Sequence, residues 1–334
     1  MSKEFLSVTF IIPTLNSHRF LNNCFSSIKN QDYPPEKIKI MAVDGGSNDE
    51  TLFLARKFGV EIVHNEKILC EPAVVLGMQK ASTDLCVIMG ADNSLADKNW
   101  LREMTKPFEN EEVFAAYPAL KNKQTDTWLT KYVNTFTDPF NHFVYGYANN
   151  PLTFAKFYRK TGYGINFEAY DFSLKQHPIL AFDQGFTIRT EYRNERPPET
   201  EYCDILPVID IIEKKKMIAY VLTANNFHAT LNGGVKQFRR KQKWAVDNGF
   251  VKKPYGFMER RKYLSLSRKI KQYLWPFYAI SIVFPLLNSV YHLIKDKEKN
   301  WVYHLPITFI AGLNIWIEVI RIKIFRRPPL GSRQ

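Results

Sequence analysis

Apolar residues follow two rhythms along this chain, and the change between them divides it. In the first hundred residues, short β-rich runs alternate with stretches of helical spacing. Residues 7–12 form a buried-strand run stopped by Pro13, and 38–43, 60–63 and 85–89 form three more. Between them, residues 20–30 set Phe20, Leu21, Cys24 and Ile28 on one helical face, and 49–58 and 73–80 predict two further helices. A β-α-β-α alternation predicts an α/β fold, an open, mostly parallel mixed sheet with helices on both faces. Ligands of such sheets bind at the carboxyl ends of the strands. The polar clusters at 14–16, 44–47 and 92–94 all fall there.

The alternation weakens from 125 to 172, where Trp128, Tyr132, Phe136, Phe140, Phe143, Tyr145 and Tyr147 crowd in. The four-residue spacing of the first three fits a helical core face; a wall for an acceptor sugar or lipid chain is the other reading. Residues 181–189 and 216–222 predict further strands, and 205–212 an apolar helix. Two long apolar segments, 273–294 and 301–320, close the chain, separated by 295–300 and flanked by basic runs at 260–271 and 321–327. Positive outer flanks fit a transmembrane hairpin with both ends in the cytosol. Pro276, Pro285, Asn288, His304, Pro306, Asn314 and Glu318 interrupt the segments, so helices lying in the membrane interface, or ordinary soluble packing, stay open.

Charge sharpens this division. The 334 residues carry a formal net charge of +13. Residues 1–235 hold 25 Lys and Arg against 28 Asp and Glu, whereas 236–334 hold 21 against 5. A near-neutral body with a basic tail suits a membrane surface and argues against a nucleic-acid partner. Apolar residues make up 45%, enough for a sizeable core. Cys24, Cys70, Cys86 and Cys203 show no zinc spacing and read as buried or free thiols in a reducing compartment. The opening residues have no apolar signal stretch, so the body is expected to stay where it is made.

Four places could carry chemistry. Asp44 ends a buried strand ahead of Gly45-Gly46-Ser47, where a carboxylate can accept hydrogen bonds from a base or ribose; Asp-Gly after a strand is also an ordinary turn. Asp92 follows another strand and could hold a divalent cation on a diphosphate, or cap a helix. His228, after a strand, is either structural or the nitrogen partner of Asp92 in a mixed site suiting Mn²⁺ or Mg²⁺. Asp204 opens the apolar helix, as an N-terminal cap or as a general base for an acceptor hydroxyl.

The order of these sites resembles the family 2 glycosyltransferases, which have a GT-A (Rossmann-like) fold. The resemblance spans about residues 6–245. It rests on Phe10-Ile11-Ile12-Pro13-Thr14-Leu15-Asn16, on Ser26-Ser27-Ile28-Lys29-Asn30-Gln31-Asp32-Tyr33-Pro34, and above all on Val43-Asp44-Gly45-Gly46-Ser47-Asn48-Asp49-Glu50-Thr51. It implies that Pro13, Thr14, Asn16, Asp44, Gly45, Ser47 and Gly77 line the nucleotide-sugar site. Asp92 falls on the second aspartate of the family's Asp-x-Asp metal motif, whose first position is Gly90 here. His228 falls on a metal-associated histidine and Asp204 on the catalytic base. Gln237-Phe238-Arg239-Arg240-Lys241 partly echoes a Gln-x-x-Arg-Trp motif; Arg239 and Arg240 would meet the diphosphate, and the missing Trp at Lys241 speaks for single-sugar transfer.

The resemblance thus implies an inverting enzyme taking a sugar from a UDP- or GDP-sugar to a glycan or lipid-linked acceptor with a divalent cation. Its catalytic domain (1–245) would lie on the cytoplasmic side of the cell membrane. A basic juxtamembrane segment (246–272) and membrane-associated helices (273–334) would follow it. A catalytically inactive membrane scaffold of the same fold, which Gly90 would suit, is the alternative.

Overall fold

The computed structural model describes residues 5–146, 151–179, 183–195, 205–250 and 259–325. Its chain gathers into two compact units, 1–121 with 157–228, and 122–156 with 229–334. The aromatic stretch 122–156 leaves the sheet unit and joins the C-terminal helices.

The first unit is built on one mixed sheet. Its strands are β1 (Val8–Thr14), β2 (Ile38–Asp44), β3 (Glu61–His64), β4 (Leu85–Met89), β5 (Asn93–Leu95), β6 (Val113–Lys121), β7 (Lys160–Tyr163), β8 (Phe167–Tyr170), β9 (Gln184–Arg189) and β10 (Met217–His228). They lie in the order β3-β2-β1-β4-β9-β6-β10-β8-β7, with β5 pairing β10. The neighbours β3, β2, β1 and β4 are parallel, β9 inserts antiparallel to both β4 and β6, and β10 runs parallel to β6. The carboxyl ends of β1, β2, β4 and β10 therefore share one edge of the sheet. Pro13 does not stop β1, as expected from sequence, but pairs in register with Val43. Proline lacks only the donor, and its carbonyl and extended backbone suit a strand end.

Helices α1 (His18–Lys29), α2 (Thr51–Lys57), α3 (Cys70–Lys80) and α4 (Trp100–Thr105) fill the connections, and α7 (Leu206–Glu213) precedes β10. Alternation along β1 serves both sheet faces. Phe10 and Ile12 share a core with Leu21, Cys24, Phe25 and Ile28 of α1, whereas Ile11 meets α3 at Gly77. A Cβ on Gly77 would stand 2.4 Å from Ile11 Cγ2. The glycine lets the helix lie against the strand, with no room for a side chain.

The second unit is helical: α5 (Trp128–Phe136), α6 (Pro139–Tyr145), α8 (Gly234–Phe250), α9 (Leu266–Ile280), α10 (Val283–Asp296) and α11 (His304–Lys323). Its core joins Leu129, Tyr132 and Phe136 to Trp275, Ala279, Trp301, Ile307 and Ala311. The core-face reading of the aromatic stretch therefore describes α5: Phe136 stacks on Trp301 at 4.0 Å, and the Tyr132 hydroxyl lies 2.6 Å from His304 Nδ1. The apolar segment 273–294 is not one helix. α9 and α10 meet at 98°, with Ile282 at φ +58 between them. The Pro285 ring would clash with the Ser281 carbonyl in a continuous helix, so the chain turns there.

This unit places its polar residues inside and many apolar ones outside. His292, His304, Asn314 and Glu318 are buried, while Leu266, Tyr273, Phe277, Val283, Phe284, Leu287 and Ile294 are exposed. Asn314 Nδ2 donates to Gln242 Oε1 at 2.7 Å, and Gly312 lets α11 touch Ala279 of α9. Among the described residues, one helical stretch, Lys299–Ile322, is long and apolar enough to cross a membrane, or two if the bent pair counts as one span.

Candidate functional site at the carboxyl edge of the sheet

The residues predicted for donor binding assemble around Asp44, at the end of β2 and only 2% exposed. Its carboxylate takes four hydrogen bonds from its own surroundings. Oδ1 accepts from the Thr14 hydroxyl (2.9 Å) and the Ser47 hydroxyl (2.5 Å), and Oδ2 from the backbone N–H groups of Gly46 (2.9 Å) and Ser47 (2.8 Å). A carboxylate offers about four lone-pair positions, so a base or ribose reaches Asp44 only by displacing Thr14 or Ser47. Gly46, at φ +92, makes this wrap possible, and Gly45 lies under the Ile68 carbonyl, where a Cβ would stand 2.7 Å away.

The β1 and β2 loops are clipped together. Asn16 N–H donates to Ser47 Oγ (2.9 Å) and Asn48 N–H to Asn16 Oδ1 (3.0 Å), with Asn16 itself at φ +51. Below them His18 Nδ1 and Asp49 Oδ2 are 2.6 Å apart. Burial pushes the Asp49 carboxyl up, but the Thr51 and His18 hydrogen bonds outweigh it and bring it down to about 2.

The stretch carrying Gln31 and Tyr33 proves to be scaffolding. Gln31 donates to the carbonyls of Ser27 (3.0 Å) and Asp97 (2.8 Å) and accepts from Leu101 N–H (3.0 Å). Ser27 Oγ accepts from Leu95 N–H (3.0 Å). Together they fix β5, the strand that follows Asp92.

Asp92 and His228 meet at the same edge. β5 pairs antiparallel with the end of β10, in a register that sets His228 opposite Asn93. His228 Nε2 lies 3.6 Å from Asp92 Oδ2, and His228 Nδ1 lies 3.0 Å from the Gln184 carboxamide. Asn93 Nδ2 reaches Asp92 Oδ1 (3.2 Å) and the Asp183 carbonyl (3.3 Å), while its Oδ1 is buried without a partner. A Cβ on Gly90 would stand 3.1 Å from Asp92 Oδ1 and 3.2 Å from Asn93 Nδ2. The glycine that replaces the family's first aspartate thus leaves this turn just enough room to close.

The arrangement fits a divalent cation. One carboxylate oxygen and one imidazole nitrogen lie at a separation that two donors about 2.1 Å from a common ion can span, beside a buried oxygen still lacking a donor. Among the described residues, no three His, Cys, Asp or Glu side chains come together to hold an ion. An ion here would need further oxygen ligands from outside these two side chains.

Arg239 and Arg240 are exposed on α8 of the second unit, and Lys241 beside them donates to Thr230 Oγ1 at 2.8 Å. Asp204 and Cys203 lie outside the described residues, as does Tyr147; α7 begins just after Asp204, with Pro207 in its first turn. Two contributors had no signal in the sequence: Gln184, and the Asp183 carbonyl that accepts from Gly90 N–H at 2.6 Å.

Comparison with known proteins agrees with this geometry. The profile of glycosyl transferase family 2 matches residues 9–178. A dolichyl N-acetyl-α-D-glucosaminyl phosphate 3-β-D-2,3-diacetamido-2,3-dideoxy-β-D-glucuronosyltransferase of Methanococcus voltae is 28% identical over 109 residues, 30% of this chain and 34% of that protein. Glycosyltransferase AglE of Haloferax volcanii is 27% identical over 100 residues, 28% of this chain and 33% of its own. The chain thus spans about a third of the length of these curated relatives. Among solved structures, the mannosyltransferase PcManGT of Pyrobaculum calidifontis, in complex with GDP-Man and Mn²⁺, is similar with a TM-score of 0.56. It is 13% identical and covers 96% of this chain and 89% of its own. With a profile matching half its length and a sheet of the same architecture, the chain belongs to glycosyl transferase family 2 and has the GT-A fold.

Proposed function

We propose that this chain is an inverting glycosyltransferase that moves a sugar from a UDP- or GDP-sugar to a hydroxyl of a glycan or lipid-linked acceptor. It would work at the cytoplasmic face of a membrane, in cell-surface polysaccharide or glycolipid synthesis. The observation that carries this reading is the pairing of Asp92 with His228 beside the unpartnered Asn93 oxygen, at the ligand-binding edge of the sheet.

In this scheme the clipped loops of Pro13, Thr14, Asn16, Asp44, Gly45 and Ser47 receive the nucleoside. Asp92 and His228 would hold the divalent cation, and Asn93 Oδ1 would accept from a ribose hydroxyl or an ordered water. When bound, the cation would offset charge on the departing diphosphate. Arg239 and Arg240 would add to that electrostatic stabilisation. Asp204 takes the proton from the acceptor hydroxyl, and a single in-line displacement by that hydroxyl inverts the anomeric carbon. The name of the Methanococcus relative, which acts on a dolichyl-linked sugar, supports a lipid-linked acceptor. The PcManGT complex makes GDP and Mn²⁺ the first ligands to try.

Membrane attachment is supported by the outward apolar side chains of α9 and α10 and the basic residues before them. Each arm of the bent pair is about 22 Å long at 1.5 Å per residue, short of a hydrocarbon core of about 30 Å. The interfacial arrangement is therefore the better reading for that pair.

The test is calorimetric titration of UDP and of GDP into the full chain in detergent, with and without Mn²⁺. One nucleotide should bind in a Mn²⁺-dependent way, and Asp92→Ala should abolish that dependence. Gly90 favours a second reading, a membrane-associated scaffold without transfer, which expects neither nucleotide to bind. Equal Mn²⁺-dependent affinity in wild type and Asp92→Ala would remove Asp92 from the site.

A further inference from the structure

Gln184 opens β9, and its backbone pairs with Met89 at the end of β4, so it stands at the ligand edge of the sheet. Its carboxamide nitrogen lies 3.0 Å from His228 Nδ1, on the opposite side of the imidazole from the nitrogen that faces Asp92. Its own backbone is held in turn. The Gln184 carbonyl accepts from Asn226 Nδ2 at 2.8 Å, two residues before His228 on the same strand. Gly185, at φ +89, follows it, and a Cβ there would stand 2.6 Å from Asn226 Nδ2. Asn226 is fully buried and His228 only 6% exposed. The carboxamide thus reaches the ring from a rigid strand within a packed surrounding.

We propose that Gln184 is a positioning residue for His228, holding the ring so that Nε2 faces Asp92 in either neutral tautomer. The proposal rests on the reading of His228 as a cation ligand. With no ion present, Nε2–H can point at the Asp92 carboxylate while Nδ1 accepts from the Gln184 N–H, as seen here. Ligation needs a bare Nε2, so the ring proton must sit on Nδ1 and needs an acceptor there. A carboxamide carries donor and acceptor at one end. A half-turn about its last bond presents Oε1 to Nδ1–H without moving the backbone or adding charge. The proton leaves Nε2 for solvent and one returns to Nδ1, so the ring stays neutral. A hydrocarbon side chain at this position would serve neither tautomer, and a carboxylate only the Nδ1–H form.

The test reads Mn²⁺ binding directly, by electron paramagnetic resonance of the unbound ion. It uses the full chain in detergent, with Mn²⁺ alone and with UDP or GDP added. Gln184→Leu should lower Mn²⁺ affinity about ten- to a hundredfold, the usual consequence of losing the partner behind a ligating histidine. Gln184→Glu, which keeps an acceptor for Nδ1–H, should stay within about threefold of wild type. Gln184→Asn is one methylene too short to reach the ring and should match the Leu variant, and it serves if the Leu variant does not fold. Thermal unfolding of each variant separates lost binding from lost structure. Wild-type Mn²⁺ affinity in folded Gln184→Leu or Gln184→Asn, alongside loss in His228→Ala, overturns the positioning role. Wild-type affinity in His228→Ala instead overturns the cation reading on which it rests.

Discussion

Asp44 and Asp92 are both aspartates at strand ends followed or preceded by glycine, yet their environments differ. Asp44 spends its four acceptor positions on Thr14, Gly46 and Ser47 and so builds the loop, while Asp92 keeps company with His228 and a partnerless amide oxygen. The run of identities around Asp44 was the most legible part of the sequence, because a wrapped carboxylate demands glycines and a serine at fixed offsets. The pairing of Asp92 with His228 was one of two readings of that histidine, since the two lie 136 positions apart and no spacing ties them. Gln184 could not be read at all: a single glutamine at a strand start has no spacing to betray it. Asp204 tests the other half of the proposed chemistry. Asparagine caps a helix about as well as aspartate but cannot take a proton. Asp204→Asn should therefore leave nucleotide affinity near wild type while transfer to a membrane extract falls by about two to four orders of magnitude. Near-normal transfer would hand the role to another group, with Glu199 and Glu201 the next to change.

At the scale of elements, strand and helix periods were read correctly wherever one apolar face met one core. The extents of α1, β2 and β4 follow the predicted runs within a few residues. Where apolar content was high all round, the sequence left alternatives open. Residues 273–294 read either as a span or as interfacial helices, and the Pro285 ring and the left-handed Ile282 divide them into α9 and α10. The bend has a topological consequence. A spanning hairpin would put 295–300 on the far side of the membrane from the sheet unit, whereas an interfacial wedge keeps that loop on the same side. Lys299 is exposed in this loop. A Lys299→Cys variant in sealed vesicles with the sheet unit outward should react with a membrane-impermeant maleimide, above the background of the unmutated chain. Protection until detergent is added would restore the hairpin.

On the scale of the whole molecule, the division into units was the least legible feature, because nothing in the composition of 122–156 says which core it joins. The sequence alone suggests that removing everything beyond Phe250 leaves a soluble catalytic body. The helical unit predicts otherwise. Tyr132 and Phe136 pack on His304 and Trp301, so such a shortened chain uncovers an aromatic face on α5. It should bind a hydrophobic dye and scatter light as aggregates although both apolar helices are gone. A monodisperse, dye-negative product would show that α5 and α6 find cover without them.

The same pairing has a meaning in time. Tyr132 and the His304 it touches are 172 residues apart. At synthesis rates of about 5–20 residues per second, α5 leaves the ribosome roughly 10–35 seconds before its partner exists. During that interval the strands from β7 to β10 emerge and the sheet can close, so the sheet unit is complete while the aromatic helices still wait. The helical unit can form only after the sheet unit's strands are made, and its formation coincides with the arrival of the segments proposed to meet the lipid.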